Sequence, residues 1–333
     1  MPPSIRMTAN GIVCRDGSQE VWLDPKAPVP GAVNFVSHAH TDHLPSSRNG
    51  RGGDRCTLLA SRQTHAIAAV RGFQLDDHSE HADGFELVDS GHILGSKGLL
   101  FGETFYTGDV CTRDRGFLRG AKVPQCKTLI TECTFGLPEF EFPSVQDVTE
   151  RVNRLISEMY ERSVPVVLMG YQLGKAQTLT RLFGHWMPLY FHDSVLEMNS
   201  LHGRLGVSLA GGIGHTEAES RGLLERRPWL MISPMLSEKS RFVRDLKSRY
   251  GAVTIGFSGW AKSTRFAFGR RADYSIPMSD HCDYSELLRM VRQSGAETVY
   301  TTHGFEEEFA RDLQKLGIDA VPLTAAGAGG PAH

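Results

Sequence analysis

The order of apolar and polar positions divides the chain into three stretches. Up to about residue 133 the apolar runs are short and separated by turn residues, a strand pattern. "GIVCRDGSQEVWLD" holds two such runs around an Asp-Gly pair and predicts a hairpin. "AVNFVSHAH", "CTLLAS", "GFELVDSGH", "GLLFGETFYTGD" and "KTLITEC" predict further strands, and "RQTHAIAAVRGF" predicts a helix. Between about 141 and 257 the period changes. "VQDVTERVNRLISEMYERS" has helical spacing with Ser144 placed to cap it. "VPVVLMG" is a short continuous apolar run, and "YQLGKAQTLTRLFGHW" turns at Gly174 into a second helix. This strand–helix alternation predicts an inserted α/β domain. "PWLMISPM", "AVTIGFSGW" and "ADYSIPMSDH" return to strands, and "ETVYTTHG" is a strand between the helices "SELLRMVRQSG" and "EEEFARDLQKLG". The expected order is a first part at 1–140, an insertion at 141–257, a second part at 258–325 and a disordered tail at 326–333.

Several predicted strands end in a chemically able residue: Asp24, His38, His92, Asp109 and Glu132. Reactive groups at strand ends indicate a site built along one sheet edge. "HAHTDH" places His38, His40, Asp42 and His43 within six positions. Imidazole and carboxylate are ordinary ligands of zinc, and alternation sends His38 and His40 to the same side. One ion cannot take all four from so short a loop, whereas two ions can share them. His92 and Asp109 complete a set with His38 and His40. His303, with Asp42 and His43, completes the other, and Asp109 has two oxygens with which to bridge. Two such ions lower the pKa of a water between them and clamp a phosphoryl group. Glu132 and His281 are not needed as ligands. A histidine held by a carboxylate is a general acid, so His281 is expected to protonate the leaving oxygen and Glu132 to orient it. Asp24 is expected to support the ligand loop from behind.

The 333 residues allow one large domain or two moderate ones. No apolar run is long enough to span a bilayer, and the first residues lack the apolar core of a secretory signal, which predicts a cytoplasmic protein without a membrane role. Six cysteines without a CxxC pair argue against a disulfide scaffold. The net charge is −2, yet Arg204–Arg271 carries thirteen Lys or Arg against five Asp or Glu. Beside two cations, such a segment reads as a face that receives phosphates. Lys239, Arg241, Arg244, Lys262, Arg265 and Arg270 are candidate strand contacts, and Phe135, Tyr171 and Trp260 are candidate base-stacking rings. Gly174 and Lys175 open a helix whose N-terminus, or Ser279, is expected to grip a terminal 5′-phosphate.

Asp24, "HAHTDH", His92, Asp109, Glu132, His281 and His303, in that order, resemble the metallo-β-lactamase fold and, within it, the β-CASP nucleases. The resemblance covers nearly the whole chain. It implies an αββα sandwich with a β-CASP cap domain inserted after Glu132. "LITECTFGLPEF", "GYQLGKAQ", "FSGWA", "SDHCDYSELL" and "TTHGFEEEFARDLQKLG" are similar to bacterial DNA ligase-associated exonucleases and to archaeal messenger-RNA 3′-end processing exonucleases. "GYQLGK" and "IPMSDH" also resemble Artemis-type repair nucleases, which tend to have valine where this chain has His303. Cys133 stands where the family has serine.

The resemblance implies a nuclease with two Zn2+ (Mn2+ as an alternative) acting on single-stranded DNA or RNA in repair or RNA processing, with a DNA ligase and a helicase as partners. An RNA 3′-end processing nuclease is the first alternative. A thioester or lactam hydrolase on the same fold and a non-catalytic scaffold are rivals. The former needs neither Glu132 nor His281, and the latter would not need every ligand in place.

Overall fold

The structure is a computed structural model and describes residues 3–16, 19–45, 57–75, 78–262 and 272–324. The expected tail at 326–333 lies outside the described residues. The chain divides into two compact units: one of residues 1–113, 118–139 and 281–333, the other of 114–117 and 140–280.

The first unit opens with β1 (Ser4–Thr8), β2 (Gly11–Asp16), β3 (Gln19–Leu23), β4 (Val33–Phe35), β5 (Thr57–Leu59), helix α1 (Arg62–Val70) and β6 (His78–Ser79). These six strands form one sheet in chain order. The β2–β3 hairpin is antiparallel, while β3 through β6 run parallel. A second sheet takes β7 (Phe85–Asp89), β8 (Lys97–Phe101), β9 (Thr104–Tyr106) and β10 (Thr128–Cys133).

The inserted unit follows. It contains α2 (Val145–Glu161), β11 (Val166–Gly170), α3 (Lys175–Phe183), β12 (Leu189–Phe191), α4 (Asp193–Arg204), β13 (Ile213–Gly214), α5 (His215–Ser220), β14 (Leu230–Pro234), α6 (Arg241–Tyr250), β15 (Val253–Phe257) and β16 (Tyr274–Ile276). The chain then returns through α7 (Tyr284–Ser294), β17 (Thr298–Gly304), α8 (Glu306–Lys315) and β18 (Asp319–Pro322). The second sheet has the order β18-β17-β10-β9-β8-β7.

Period-two alternation sorts the second sheet's side chains between two cores. Leu99, Phe101, Tyr106 and Ile130 face inward against Ile12, Val21, Leu23 and Phe35 of the first sheet. Phe105, Leu129 and Val299 face outward against Leu287, Met290 and Val291 of α7 and Phe309 and Leu313 of α8. Ala68 of α1 joins Val36, Leu58 and Ala60 on the outer face of the first sheet. The unit is therefore an αββα sandwich, each sheet buried on both faces where it is widest.

The inserted unit has its own core and a six-stranded sheet, order β13-β12-β14-β11-β15-β16, with every pairing parallel. Its strands read as continuous apolar runs because helices cover both faces. Ser144 caps α2 by accepting the Asp147 N–H at 3.1 Å. Composition placed the end of this insertion at residue 257. The second unit instead continues to Asp280, because β16 pairs with β15 through Ile255, Gly256 and Phe257.

Candidate metal centre

The strands β4, β7, β9, β10 and β17 all end at or beside a histidine or carboxylate: His38, His92, Asp109, Glu132 and His303. In the second sheet, β9, β10 and β17 are parallel neighbours and β7 runs the same way as β9, so four of these ends share one edge. Glycine makes some of the turns possible. Gly91 precedes His92 at φ +71°, where a Cβ would lie 2.3 Å from the Cys111 carbonyl. Gly304 follows His303 at φ +129°, where a Cβ would lie 2.3 Å from the Cys133 carbonyl.

His303 owes its direction to a bulge. Thr302 pairs with Glu132 and Gly304 with Cys133, so His303 is the extra residue between them. A bulge of this kind re-aims a side chain. His303 has φ +52° and Asp24 has φ +47°, left-handed conformations uncommon outside glycine.

Three ring nitrogens and a carboxylate oxygen meet at the first position. His40 Nδ1 lies 3.0 Å from both His38 Nε2 and His92 Nε2. Asp109 Oδ2 lies 3.4 Å from both His38 Nε2 and His92 Nε2. These four atoms lie close enough to one another for one cation to be held by all of them. Tetrahedral zinc with bonds of about 2.0–2.1 Å to nitrogen sets its ligand atoms roughly 3.3 Å apart. The observed spacings match that, so His38, His40, His92 and Asp109 fit a zinc ion.

A second group shares Asp109. His43, Asp109 and His303 each offer an atom within 4.8 Å of the others. His43 Nε2 is 3.4 Å from Asp109 Oδ1, the oxygen not used by the first group. The buried Nδ1 of His303 has no hydrogen-bond partner among the described residues, a costly state unless a cation is expected. Asp42 sits at the rim. Its carboxylate is largely exposed, 3.6 Å from His43 Nε2, and falls outside the mutually close set.

Asp24 acts from behind. It accepts the Ser37 N–H at 2.6 Å, the Ser37 hydroxyl at 2.7 Å and the Tyr106 hydroxyl at 2.8 Å. Its Oδ2 also lies 2.7 Å from His43 Nδ1, which turns Nε2 toward Asp109. Burial opposes a charge on His43, but Asp109 and Asp24 overcome it and raise its pKa to about 10. His303 goes the other way, down to about 4, through burial and the neighbouring His43. Burial and the imidazoles around it hold His38 well below the usual range. Burial lifts Asp109 to about 6 against the pull of His43 and His281.

Asp109, Glu132 and His281 are also mutually close. Glu132, however, has its oxygens engaged. It accepts the N–H groups of Val110 at 3.1 Å and Thr134 at 2.9 Å, and it lies 2.7 Å from His281 Nδ1. Burial alone would raise the Glu132 pKa, yet His281 and these donors lower it. This arrangement suits a carboxylate that orients a histidine. His281 Nε2 remains 4.0 Å from Asp109 Oδ2.

Two arginines emerge that no motif marked. Arg113 donates through Nη2 to the His281 carbonyl at 2.7 Å and lies 3.3 Å from Glu286 and 3.6 Å from Asp283. Arg71 donates to the Ala39 carbonyl and, at 3.0 Å, to Thr41 Oγ1. Neither signal is visible locally, since each arginine is distant in sequence from the loop it holds.

The expected phosphate contacts fare differently. In the inserted unit Lys175 is buried, its Nζ 3.0 Å from Asp280 and 2.9 Å from the Met278 carbonyl. Arg115 meets the same Asp280 oxygen at 2.5 Å. Lys175 therefore belongs to an internal ion pair and does not offer its ammonium to a phosphate, and Ser279 is buried too. Gly174 is the N-cap of α3 at φ +90°, without a side-chain cap of its own. Lys239, Arg241 and Arg244 are exposed. Arg265, Arg270 and the side chain of Lys262 lie outside the described residues. Among the candidate stacking rings Tyr171 is exposed, Trp260 packs 5.4 Å from Phe140, and Phe135 is buried 5.9 Å from His281.

The fold and this site define a metallo-hydrolase. Residues 271–322 match a family described as "Zn-dependent metallo-hydrolase RNA specificity domain". A protein of Opitutus terrae named "Probable DNA ligase" is 30% identical over 307 residues, covering 90% of this chain and 29% of the relative. The rat "5' exonuclease Apollo" is 26% identical, covering 77% of this chain and 48% of the relative. A Lokiarchaeum "Transcription termination factor FttA" is 28% identical, covering 35% of this chain and 21% of the relative. The chain thus spans less than half the length of these relatives. A solved structure of a protein of unknown function from Enterococcus faecalis V583 matches with TM-score 0.62 and 14% identity, covering 96% of each chain. The matched domain, these relatives and the αββα sandwich with its inserted unit are consistent with the β-CASP group of the metallo-β-lactamase fold.

Proposed function

We propose that this chain is a dinuclear zinc phosphodiesterase that removes nucleotides from the ends of single-stranded nucleic acid, with DNA favoured over RNA. The observation that carries the reading is the position of Asp109. Its two oxygens serve two separate groups, His38–His40–His92 and His43–His303, with Asp42 beside the second. Zinc or manganese held there supplies charge for the phosphoryl oxygens and a water acidic enough to attack near neutral pH.

The chain's own residues do the remainder. Asp24 and Ser37 fix the orientation of His43 and His38. Glu132 holds His281 at Nδ1 and stabilises its protonated form, so the other ring nitrogen is placed to give a proton to the leaving oxygen. The buried strand ends exclude bulk water from one side. Tyr171 and the exposed Lys239, Arg241 and Arg244 give a strand a ring and cations to lie against. The relative named as a DNA ligase points toward a role beside a DNA ligase; the helicase partner rests on the sequence resemblance alone. No described helix is long and apolar enough to cross a membrane, which is compatible with the cytoplasmic placement we propose.

Processing of RNA ends is the second reading, favoured by the RNA-specificity domain matched over 271–322. The deciding experiment is a time course on 5′-labelled and 3′-labelled single strands of each sugar type, with and without a 5′-phosphate. A chromogenic lactam runs in parallel. Zinc-dependent shortening of an oligonucleotide is expected; hydrolysis of the lactam alone would reject the proposal.

A further inference from the structure

We propose that Arg71 is a positioning residue that presets the loop of residues 38–43 for metal binding. The inference rests on the reading of that loop as a metal-ligand loop. Arg71 is the C-cap of α1; its own N–H donates to the Ile67 carbonyl at 3.1 Å, and the next N–H, of Gly72, donates to Ala69 at 3.0 Å. Its backbone is thus tied to a helix that packs on the first sheet through Ala68. From that anchor the guanidinium reaches across to the loop. Nη1 donates to the Ala39 carbonyl, and Nη2 donates to Thr41 Oγ1 at 3.0 Å.

The two contacts fall where they matter. Ala39 lies between His38 and His40, and Thr41 lies between His40 and Asp42. The loop is also held at its two ends: the Ser37 carbonyl accepts the Lys97 N–H at 2.9 Å, and the His40 carbonyl accepts the His43 N–H at 3.2 Å. Between those points the guanidinium supplies the fixed geometry. Arginine suits this because its planar fork presents two donors at a set angle, whereas lysine presents a point charge on a flexible stem. Part of the group has left water: burial lowers the Arg71 pKa and the nearby Asp42 carboxylate opposes that.

Arg71 touches none of the ring nitrogens, so its effect is expected in metal affinity. Partners behind metal ligands typically govern about 10–100-fold in affinity. The test uses full-length protein stripped of metal and titrated with zinc against a chromophoric chelator, alongside the melting temperature of the metal-free form. Arg71→Met is expected to bind zinc about 10–100-fold more weakly, with the metal-free melting temperature nearly unchanged. Arg71→Lys is expected to recover part of the affinity. Thr41→Val removes one of the two contacts from the other side and is expected to show a smaller loss. It decides the matter should Arg71→Met not fold. Parental zinc affinity in Arg71→Met, or in Thr41→Val when that variant must decide, would overturn the proposal. So would a fall in metal-free stability that accounts for the whole loss. A parent protein that takes up no zinc would instead overturn the metal-centre reading, and this proposal with it.

Discussion

Both units gather buried polar groups at the ends of parallel strands, but the two gatherings end in opposite electrical states. In the inserted unit Asp280 lies just beyond β16 and Lys175 begins α3 after β11; each finds its complement. Asp280 pairs with both Arg115, at 2.5 Å, and Lys175, at 3.0 Å, and the Met278 carbonyl accepts another Lys175 proton. In the first unit the strand ends bring together groups of the same kind. Three imidazole nitrogens face each other, and His303 Nδ1 has no hydrogen-bond partner among the described residues. Buried charge that closes on itself is a fastening. Buried ligand atoms that converge form a receptacle for a cation.

The sharpest way to break this contrast is Asp109→Ala. It removes the carboxylate common to both groups, so zinc content should fall at both positions and oligonucleotide cleavage should drop below detection. Metal analysis and the end-labelled assay check it, and full activity in this variant would contradict bridging. His281→Ala comes next. Zinc content should stay near the parent's while turnover slows roughly 10²–10⁴-fold; loss of metal would mean His281 is a ligand. Arg113→Ala frees the His281 carbonyl and should slow turnover by up to about 10²-fold with zinc retained, as a misplaced group does. Smallest in its catalytic effect is Lys175→Met. Turnover per folded molecule and KM should change by less than about twofold, while stability to denaturant falls by about 1–3 kcal/mol, because the buried Met278 carbonyl loses its donor while Arg115 still pairs with Asp280. A large rise in KM without loss of stability would restore Lys175 to phosphate binding and erase the difference between the two units.

What the sequence disclosed follows from the range of each signal. "HAHTDH" is local: six positions with three histidines and an aspartate have no packing explanation. The single residues His92, Asp109, Glu132, His281 and His303 are recognisable because each follows an apolar run and sits near a turn. Asp42 shows the limit, since spacing counts it as an equal ligand, whereas its exposed carboxylate lies 3.6 Å from His43 Nε2 at the rim of the group. Lys175 shows another. A lysine opening a helix after a glycine has a phosphate site's spelling, and nothing in that spelling reveals that Asp280, more than a hundred positions later, takes the ammonium. Arg71 and Arg113 carry no local mark at all. The same holds for sheet order: β10 lies beside β17 across the whole inserted unit, a pairing that hydrophobic periodicity cannot specify.

The left-handed backbone at Asp24 and His303 sets durability against competence. Each departure of this sort costs about 1–3 kcal/mol, which a glycine there would largely recover. A glycine supplies neither the carboxylate that steadies His43 nor the bulged imidazole beside Asp109. A campaign that selects this protein only for heat resistance is therefore expected to erode His303 early, yielding sturdier molecules with a spoiled centre, and to spare Asp24, whose carboxylate satisfies the buried donors of Ser37 and Tyr106.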